Sequence, residues 1–536
     1  MFSYRICRRD VKIFFCIFKE FCRMKDKMKM IGLGGSVLLL AFCLGNDCFG
    51  GESLVVAMAG QGKGEVKSKS RQRQLFIDDY MVEKIEGLER VVNKAEKYPG
   101  NPVITPDTPW ESRCEVYGTA LFDEKKQIFR IWYLTMPETA KVNEPMRFPD
   151  GRLRAGNTTI CAYAESKDGI HWVKPNLKQF PYYGDTNNNL IDIGLWNCEG
   201  ISVIEDENET NPQRRFKAVY WDHGELKMVD GKLIPSHKAP KDGFCVAFSP
   251  DGLRWTPYQG NPVIAKYCDT NQNVLYDEKL GKYVAYSRFG FSRRLARSES
   301  DDFMHWSEPK IVLEIDTKQE PGCNIYGAGV NIYEGLYLAT LWVYRQGIDG
   351  KIDTQLISSR DGINWQRLGN RATWLELGEP GSWESGMVRA TEGIITRGDK
   401  LYIYYNGVDV RHPGPMVKEK TPVNFRNEIG LVIIRRDGFV SLDAGEKQGY
   451  VLTKPFVLPH GRLYLNTNAA GGQVSVEITD ENGKTIKGFE KSKPITGDKP
   501  AAVVKWKSRK LTGIAGRKVR LRIYGRNCKL YSYWFE

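Results

Sequence analysis

The alternation of apolar and polar positions breaks the chain into short runs that predict β-strands and little helix. Aromatic-rich runs recur at FRIWYL (Phe129 to Leu134), FKAVYW (Phe216 to Trp221), YVAYSR (Tyr283 to Arg288), YLATLWVY (Tyr337 to Tyr344) and LYIYYNG (Leu401 to Gly407). Each is followed by a second alternating run: CAYAE, FCVAF, RLARS, TQLIS or GLVII. A repeated turn comes next. Four copies read SKDGIHW (Ser166 to Trp172), SPDGLRW (Ser249 to Trp255), SDDFMHW (Ser300 to Trp306) and SRDGINW (Ser359 to Trp365). A worn fifth copy, RRDGFVS (Arg435 to Ser441), keeps Asp437 and Gly438 without the Trp. In such a turn the Asp bonds nearby backbone N–H groups, the Gly tolerates positive φ and the Trp re-enters an apolar layer.

Ahead of each aromatic strand lies one more run ending in an acidic turn: EVYGTALFD (Glu115 to Asp123), EGISVIED (Glu199 to Asp206), DTNQNVLYD (Asp269 to Asp277), YGAGVNIYE (Tyr326 to Glu334) and ESGMVRATE (Glu384 to Glu392). A unit is therefore three strands, a turn and a fourth strand. The Asp-to-Asp intervals of 83, 51, 59 and 76 residues are too irregular for a solenoid but suit four-stranded blades with loop insertions. The fold class predicted is all-β: a five-bladed β-propeller over residues 74–450, followed by a C-terminal β-sandwich over residues 451–536. A six-bladed sialidase-type propeller is the rival, but its turns carry one more residue between Asp and Gly.

The length of 536 residues is ample for such a core. Residues 1–59 read as a secretory signal peptide with an upstream extension: a basic start, the apolar stretch Ile31 to Gly45, then small residues including Ala57, Met58 and Ala59. Residues 60–73 read as a linker. This predicts a secreted or periplasmic protein with no stable membrane span in the mature chain; a single membrane anchor is the alternative. The seven cysteines outside the leader are scattered and lack C-x-x-C spacing, so buried thiols are expected rather than a zinc site or a disulfide scaffold.

Charge changes the picture of the C-terminal module. It carries 17 Lys/Arg against 6 Asp/Glu over residues 453–536, whereas residues 71–452 have a net charge of −4. A basic module of this kind fits an anionic polysaccharide, but in RKVRLRIYGR (Arg517 to Arg526) the charges alternate with apolar residues, as on a solvated sheet face. No nucleic-acid-binding motif is present.

Aligned on their closing acid, the first strands of the five units begin with Glu115, Glu199, Asp269, Tyr326 and Glu384. First strands line the channel of a propeller, so these carboxylates are expected to converge near one mouth. Paired carboxylates are what glycosidic cleavage requires, one to protonate the leaving oxygen and another to act as nucleophile or activate water.

The units, the acids and the C-terminal module resemble the five-bladed propeller glycoside hydrolases of the invertase, levansucrase and arabinanase superfamily. The closer resemblance is to secreted bacterial proteins similar to the N-terminal domain of glycoside hydrolase family 32. It is carried by QLFIDDYMVE (Gln74 to Glu83), PWESRCEVYGTALFDEKKQIFRIWY (Pro109 to Tyr133), DTNQNVLYDEKLGKYVAYSR (Asp269 to Arg288) and GSWESGMV (Gly381 to Val388). The family 32 signatures W-M-N-D-P-N-G, R-D-P and E-C are absent. Carried over by blade, the superfamily's three acids fall on Glu115, Glu199 and Asp269, with Glu384 as a competitor.

Within that frame Asp269 in DTNQN is expected to be nucleophile or base, Glu384 beside Trp383 the general acid, and Glu115 the third carboxylate, with Glu111 an alternative. Expected substrate-binding residues are Glu199, Glu111, Asn271, the aromatics Trp110, Tyr117, Tyr326 and Trp383, the arginines Arg113, Arg288 and Arg389, and His412. The arginines suit a carboxylate or sulfate on an acidic sugar. No cofactor and no metal are called for, although a single channel cation is compatible with the Asp and Asn residues. The implied activity is a secreted glycoside hydrolase acting on a poly- or oligosaccharide; a noncatalytic glycan-binding or cell-surface interaction propeller is the alternative.

Overall fold

A computed structural model describes residues 72–536 except 138–143, 155–157, 195–196, 223–225, 230–231, 236–242, 270, 291, 413–424 and 508. The segments expected to be signal peptide and most of the expected linker thus lie outside the described residues. The fold is all-β, with three short 3-10 turns as the described helical elements. No helix among the described residues is long and apolar enough to cross a membrane.

Three antiparallel four-stranded sheets follow in chain order. Sheet I contains Ala120–Asp123, Ile128–Thr135, Ile160–Ser166 and Trp172–Val173. Sheet II contains Glu199–Glu205, Phe216–Asp222, Gly243–Ser249 and Thr256–Pro257. Sheet III contains Asn273–Asp277, Lys282–Ser287, Leu295–Ser300 and Lys310–Leu313. Sheet IV is built from Asn324–Tyr333, Leu336–Tyr344 and Ile352–Ser359, and sheet V from Met387–Ala390, Lys400–Val408 and Asn427–Arg435. One parallel bridge, Ile352 to Met387, joins these last two.

Their aromatic middle strands are buried along nearly their whole length, which is why they read as continuous apolar runs. The first strands are linked sideways by polar side chains. Thr119 Oγ1 accepts the Val203 N–H at 2.9 Å, Ser202 Oγ the Val274 N–H at 3.0 Å, and Asn273 Oδ1 the Val330 N–H at 2.6 Å. Asn331 Oδ1 accepts the Gly393 N–H at 2.8 Å, and Thr391 Oγ1 donates to the Gly118 carbonyl at 2.6 Å. Sheets I to V are therefore connected in sequence and back to sheet I. Each such bond contributes about 1 kcal/mol net, and an orphaned buried partner costs about 1–3 kcal/mol.

The repeated turns serve as fasteners between sheets. In the first, Asp168 Oδ1 accepts the N–H groups of Ile170 and His171, both at 2.9 Å, and Gly169 takes φ +78°. The second and fourth copies repeat this at Asp251 and Asp361. Phe303 replaces the glycine of the third copy and still adopts φ 69°. The glycine carbonyls are grasped by the preceding sheet: Tyr404 donates to Gly169, Trp132 to Gly252 and Tyr286 to Gly362, at 2.7–2.8 Å.

The fifth copy is built differently. Positive φ falls on Asp437 (62°) rather than Gly438, and its carboxylate is held by Arg73 and Tyr333. The strand after it, Val440–Ala444, pairs with Leu88–Val92 instead of folding back on sheet V. The edge of sheet V is filled by an earlier segment, through bridges from Lys97 to Val432 and from Ile104 to Ile429. A Trp returning to sheet V has no place in that geometry.

The C-terminal strands form a ten-stranded sheet around the long strand Leu463–Asp480. Strands Gln74–Leu75 and Val82–Glu86 join it, pairing with Cys528–Phe535 and Gly449–Thr453 across the boundary expected at 450/451. In Lys518–Arg526 the apolar residues are buried and the cations face outward, with Arg522 paired to Glu477 at 2.8 Å. Lys493, Lys505, Arg509 and Lys510 line a concavity of about 650 Å³ beside Trp506. The seven cysteines of the body are all buried thiols.

Candidate functional site

Three of the first-strand acids meet in one electrostatic neighbourhood. Glu115 sits just ahead of sheet I, its backbone bonded in both directions to Leu134. Glu199 opens sheet II, where a bulge between Glu199 and Ser202 and a φ of +63° at Gly200 turn the strand end. Asp269 precedes sheet III, and the Gln272 N–H donates to the Gly200 carbonyl at 2.8 Å, tying the second acid's strand to the third's.

The environments of these acids differ. Glu115 is buried, its Oε1 2.9 Å from the Arg389 guanidinium and its Oε2 3.6 Å from Arg113. Asp269 has a side chain 44% exposed, accepts a hydrogen bond from Tyr267 at 2.9 Å and lies 3.8 Å from Arg288. Glu199 accepts one bond from Asn197, at 3.1 Å. Its pKa is pushed up to about 7, by burial first and then by the charges of Asp269 and Glu115, against the opposing effects of Arg113 and the Asn197 bond.

Aromatic and cationic side chains surround the acids. Arg389 is buried, donates to Tyr117 and Asn406, and lies over the Tyr117 ring at 4.6 Å. Burial works against its charge, but Tyr117, Glu115 and Tyr326 outweigh it and hold the guanidinium above its ordinary pKa. Tyr117 stacks on Trp342 at 5.4 Å. Tyr326 receives Arg288 at 5.3 Å and Arg293 at 5.2 Å over its ring, with the His412 imidazole edge-on at 4.9 Å. Asn271 is buried nearby, donating to the Ala328 carbonyl at 2.7 Å.

Glu384 and Trp383 are placed in different company. The Glu384 carboxylate bonds to Lys97 at 2.8 Å and to the Tyr405 hydroxyl at 2.7 Å, while Trp383 is buried and stacked on Tyr405. Glu111 is likewise engaged by Tyr133 and Lys174, both at 2.6 Å, and Trp110 donates to Asn189 at 2.7 Å. Among the described residues no hydrogen bond or ion pair joins these four to Glu115, Glu199 or Asp269. Among the described residues no group of three or more His, Cys, Asp or Glu is arranged to hold a metal ion.

Arg293, Asn197 and Tyr267 are neighbours that sequence reasoning did not single out. Two of them, Asn197 and Tyr267, had a signal: each lies two residues before an acid, as Arg113 does before Glu115. On extended backbone that spacing puts both side chains on one face.

No family model matches this chain. Among solved structures it is similar to an N-acetylgalactosamine deacetylase from F. plautii in complex with blood group B trisaccharide, at 12% identity and TM-score 0.40, covering 66% of this chain and 97% of that one. It is also similar to a glycosyl hydrolase from Bacteroides ovatus, at 14% identity and TM-score 0.39, covering 64% and 94%. A third, the β-1,2-mannobiose phosphorylase from Listeria innocua in complex with β-1,2-mannobiose, has 14% identity and TM-score 0.40 over 63% and 96%.

Proposed function

We propose that this protein is an exported glycoside hydrolase, built as a five-bladed β-propeller with a C-terminal β-sandwich and related to the family 32 N-terminal domain. The five sheets are the blades, and the cycle of side-chain bonds from Thr119 round to Thr391 lines the channel. The observation that carries the reading is the meeting of Glu115, Glu199 and Asp269 from three successive first strands, with unlike surroundings.

That contrast assigns roles. Glu199, half-buried and beside two other carboxylates whose charges raise it, keeps its proton near neutral pH and gives it to the leaving glycosidic oxygen. Asp269, half-exposed and hydrogen-bonded by Tyr267, acts as nucleophile or base. Glu115, fixed by Arg389 and Arg113, orients the site and adds the charge that raises Glu199. The acid thus moves from Glu384, whose two oxygens are engaged by Lys97 and Tyr405, to Glu199. Tyr326 and Tyr117 supply aromatic faces for a sugar, and no cofactor takes part.

The test is hydrolysis of a glycan panel by the purified protein and by Glu199→Gln, Asp269→Asn and Glu384→Gln. The expected result is loss of hydrolysis in the first two variants, with binding retained. Cleavage that survives both substitutions overturns the assignment, and binding without cleavage by the native chain favours a noncatalytic glycan-binding propeller. Export is checked by fractionating cells expressing the full chain.

A further inference from the structure

Four guanidinium groups face three carboxyls at this site, and their pairings are unequal. Arg389 and Arg113 are committed to Glu115, at 2.9 and 3.6 Å. Arg288 donates to the Asp269 carbonyl and lies 3.8 Å from its carboxylate. Arg293 has no ion pair or hydrogen bond of its guanidinium among the described residues, and its Nη1 is buried without a partner. Its group is held over the rings of Tyr326 and Tyr344, each at 5.2 Å.

A buried donor left unmatched beside a second cation is costly unless a ligand matches it. Burial and the charge of Arg288 both lower the pKa of Arg293, the signature of a half-buried cation beside another, with Tyr326, Tyr344 and Asp269 opposing. A planar, always charged fork of donors suits an oxyanion better than a hydroxyl. The aromatic walls hold the guanidinium in place and limit the entropy lost when it binds.

We infer that Arg293 and Arg288, against Tyr326 and beside His412, form an oxyanion subsite that seats a carboxylate, sulfate or phosphate next to the three acids. This deepens the proposed function and rests on it for the sugar: the anion is carried on an acidic glycan or enters as a free ion. Asp269 repels an anion on one side of the subsite, which orients a sugar-borne group toward Arg293.

The test uses the full chain on an array of neutral, uronic-acid and sulfated oligosaccharides of matched length, with calorimetric titration of inorganic sulfate and inorganic phosphate. Arg293→Gln is expected to weaken anion binding about tenfold or more, the loss of one charge-assisted hydrogen bond, and neutral glycans less than about twofold. Arg293→Lys, which keeps the charge, is expected to restore part of the affinity, and thermal melts check that both variants fold. Acidic glycans bound through Arg293 place the anion on the sugar; phosphate or sulfate bound through Arg293, with neutral glycans preferred, makes the free ion its source. Equal binding of neutral and acidic glycans, no binding of either ion and no effect of Arg293→Gln overturn the subsite while leaving the glycan reading intact. Ions bound through Arg293 with no glycan bound at all support the subsite and overturn the glycan reading; no binding of any kind overturns both.

Discussion

Glu392 offers a measurement that needs no substrate. It is buried two residues past the first strand of sheet V, and burial pushes its carboxyl from 4.5 up to about 7. Hydrogen bonds from Ser202, Thr119 at 2.9 Å and Thr391 act the other way. A raised carboxyl binds more protons in the folded state than in the unfolded one, so its stability contribution is full below pH 4.5 and is lost as pH rises through about 7. Between pH 5 and pH 8 the loss amounts to about 2.5 kcal/mol from those two values. Glu392→Gln removes this dependence. It also places an amide NH₂ against hydroxyls that already accept backbone N–H groups from Val203 and Val274, at a pH-independent cost of about 1–2 kcal/mol. The variant is therefore expected to be less stable than the native chain at pH 5 and more stable at pH 8. Denaturant unfolding at a series of pH values reads the difference, and curves that stay parallel from pH 5 to pH 8 would refute the reasoning.

Four further outcomes follow from the same contacts. On any glycan that the protein cleaves, kcat/KM is expected to fall above about pH 7 as Glu199 loses its proton, read in a pH–rate profile of the native chain. Gly362→Ala forces a side chain onto φ +70°, with its Cβ 2.4 Å from Arg297 and from the Tyr286 hydroxyl, and should destabilise by about 1–3 kcal/mol in a denaturant titration. Arg389→Met leaves the buried Glu115 without its closest cation and should cost about 3–5 kcal/mol, measured by the same titration. Glu384→Gln weakens its pair with Lys97 and should lower the melting temperature without reshaping the pH–rate profile.

The strands and turns were legible because they rest on local rules. Alternation marks buried strands, and Ser-x-Asp-Gly puts a carboxylate two and three residues ahead of the N–H groups it accepts. The first-strand acids were legible through the same repeat, since the turns gave the register in which Glu115, Glu199 and Asp269 align. Glu384 shares that register and yet meets Lys97, because residues 97–104 come from far back in the sequence to edge sheet V. Such a pairing leaves no trace in local pattern. The fifth turn misled for a related reason: RRDGFVS looks like a degraded copy, but its following strand departs to the C-terminal sheet. Arg293 was unreadable because its meaning lies in lacking a partner, a property of the folded surroundings and not of the residues beside it.

Glu199 and Glu392 share a pKa near 7 for different reasons, and the difference separates chemistry from stability. Glu392 is raised by burial alone among its leading causes, with hydroxyl donors opposing. Glu199 is raised by burial and then by two neighbouring carboxylates, so neutralising either neighbour lowers it. Asp269→Asn should therefore shift the titration of Glu199 toward acid, while that of Glu392 stays where it is. Carbon-13 carboxyl resonances of the two residues, followed across pH in the native chain and in Asp269→Asn, measure both at once. If the Glu199 titration does not move, Asp269 and Glu199 do not share a site, and the pairing of acid with nucleophile or base fails.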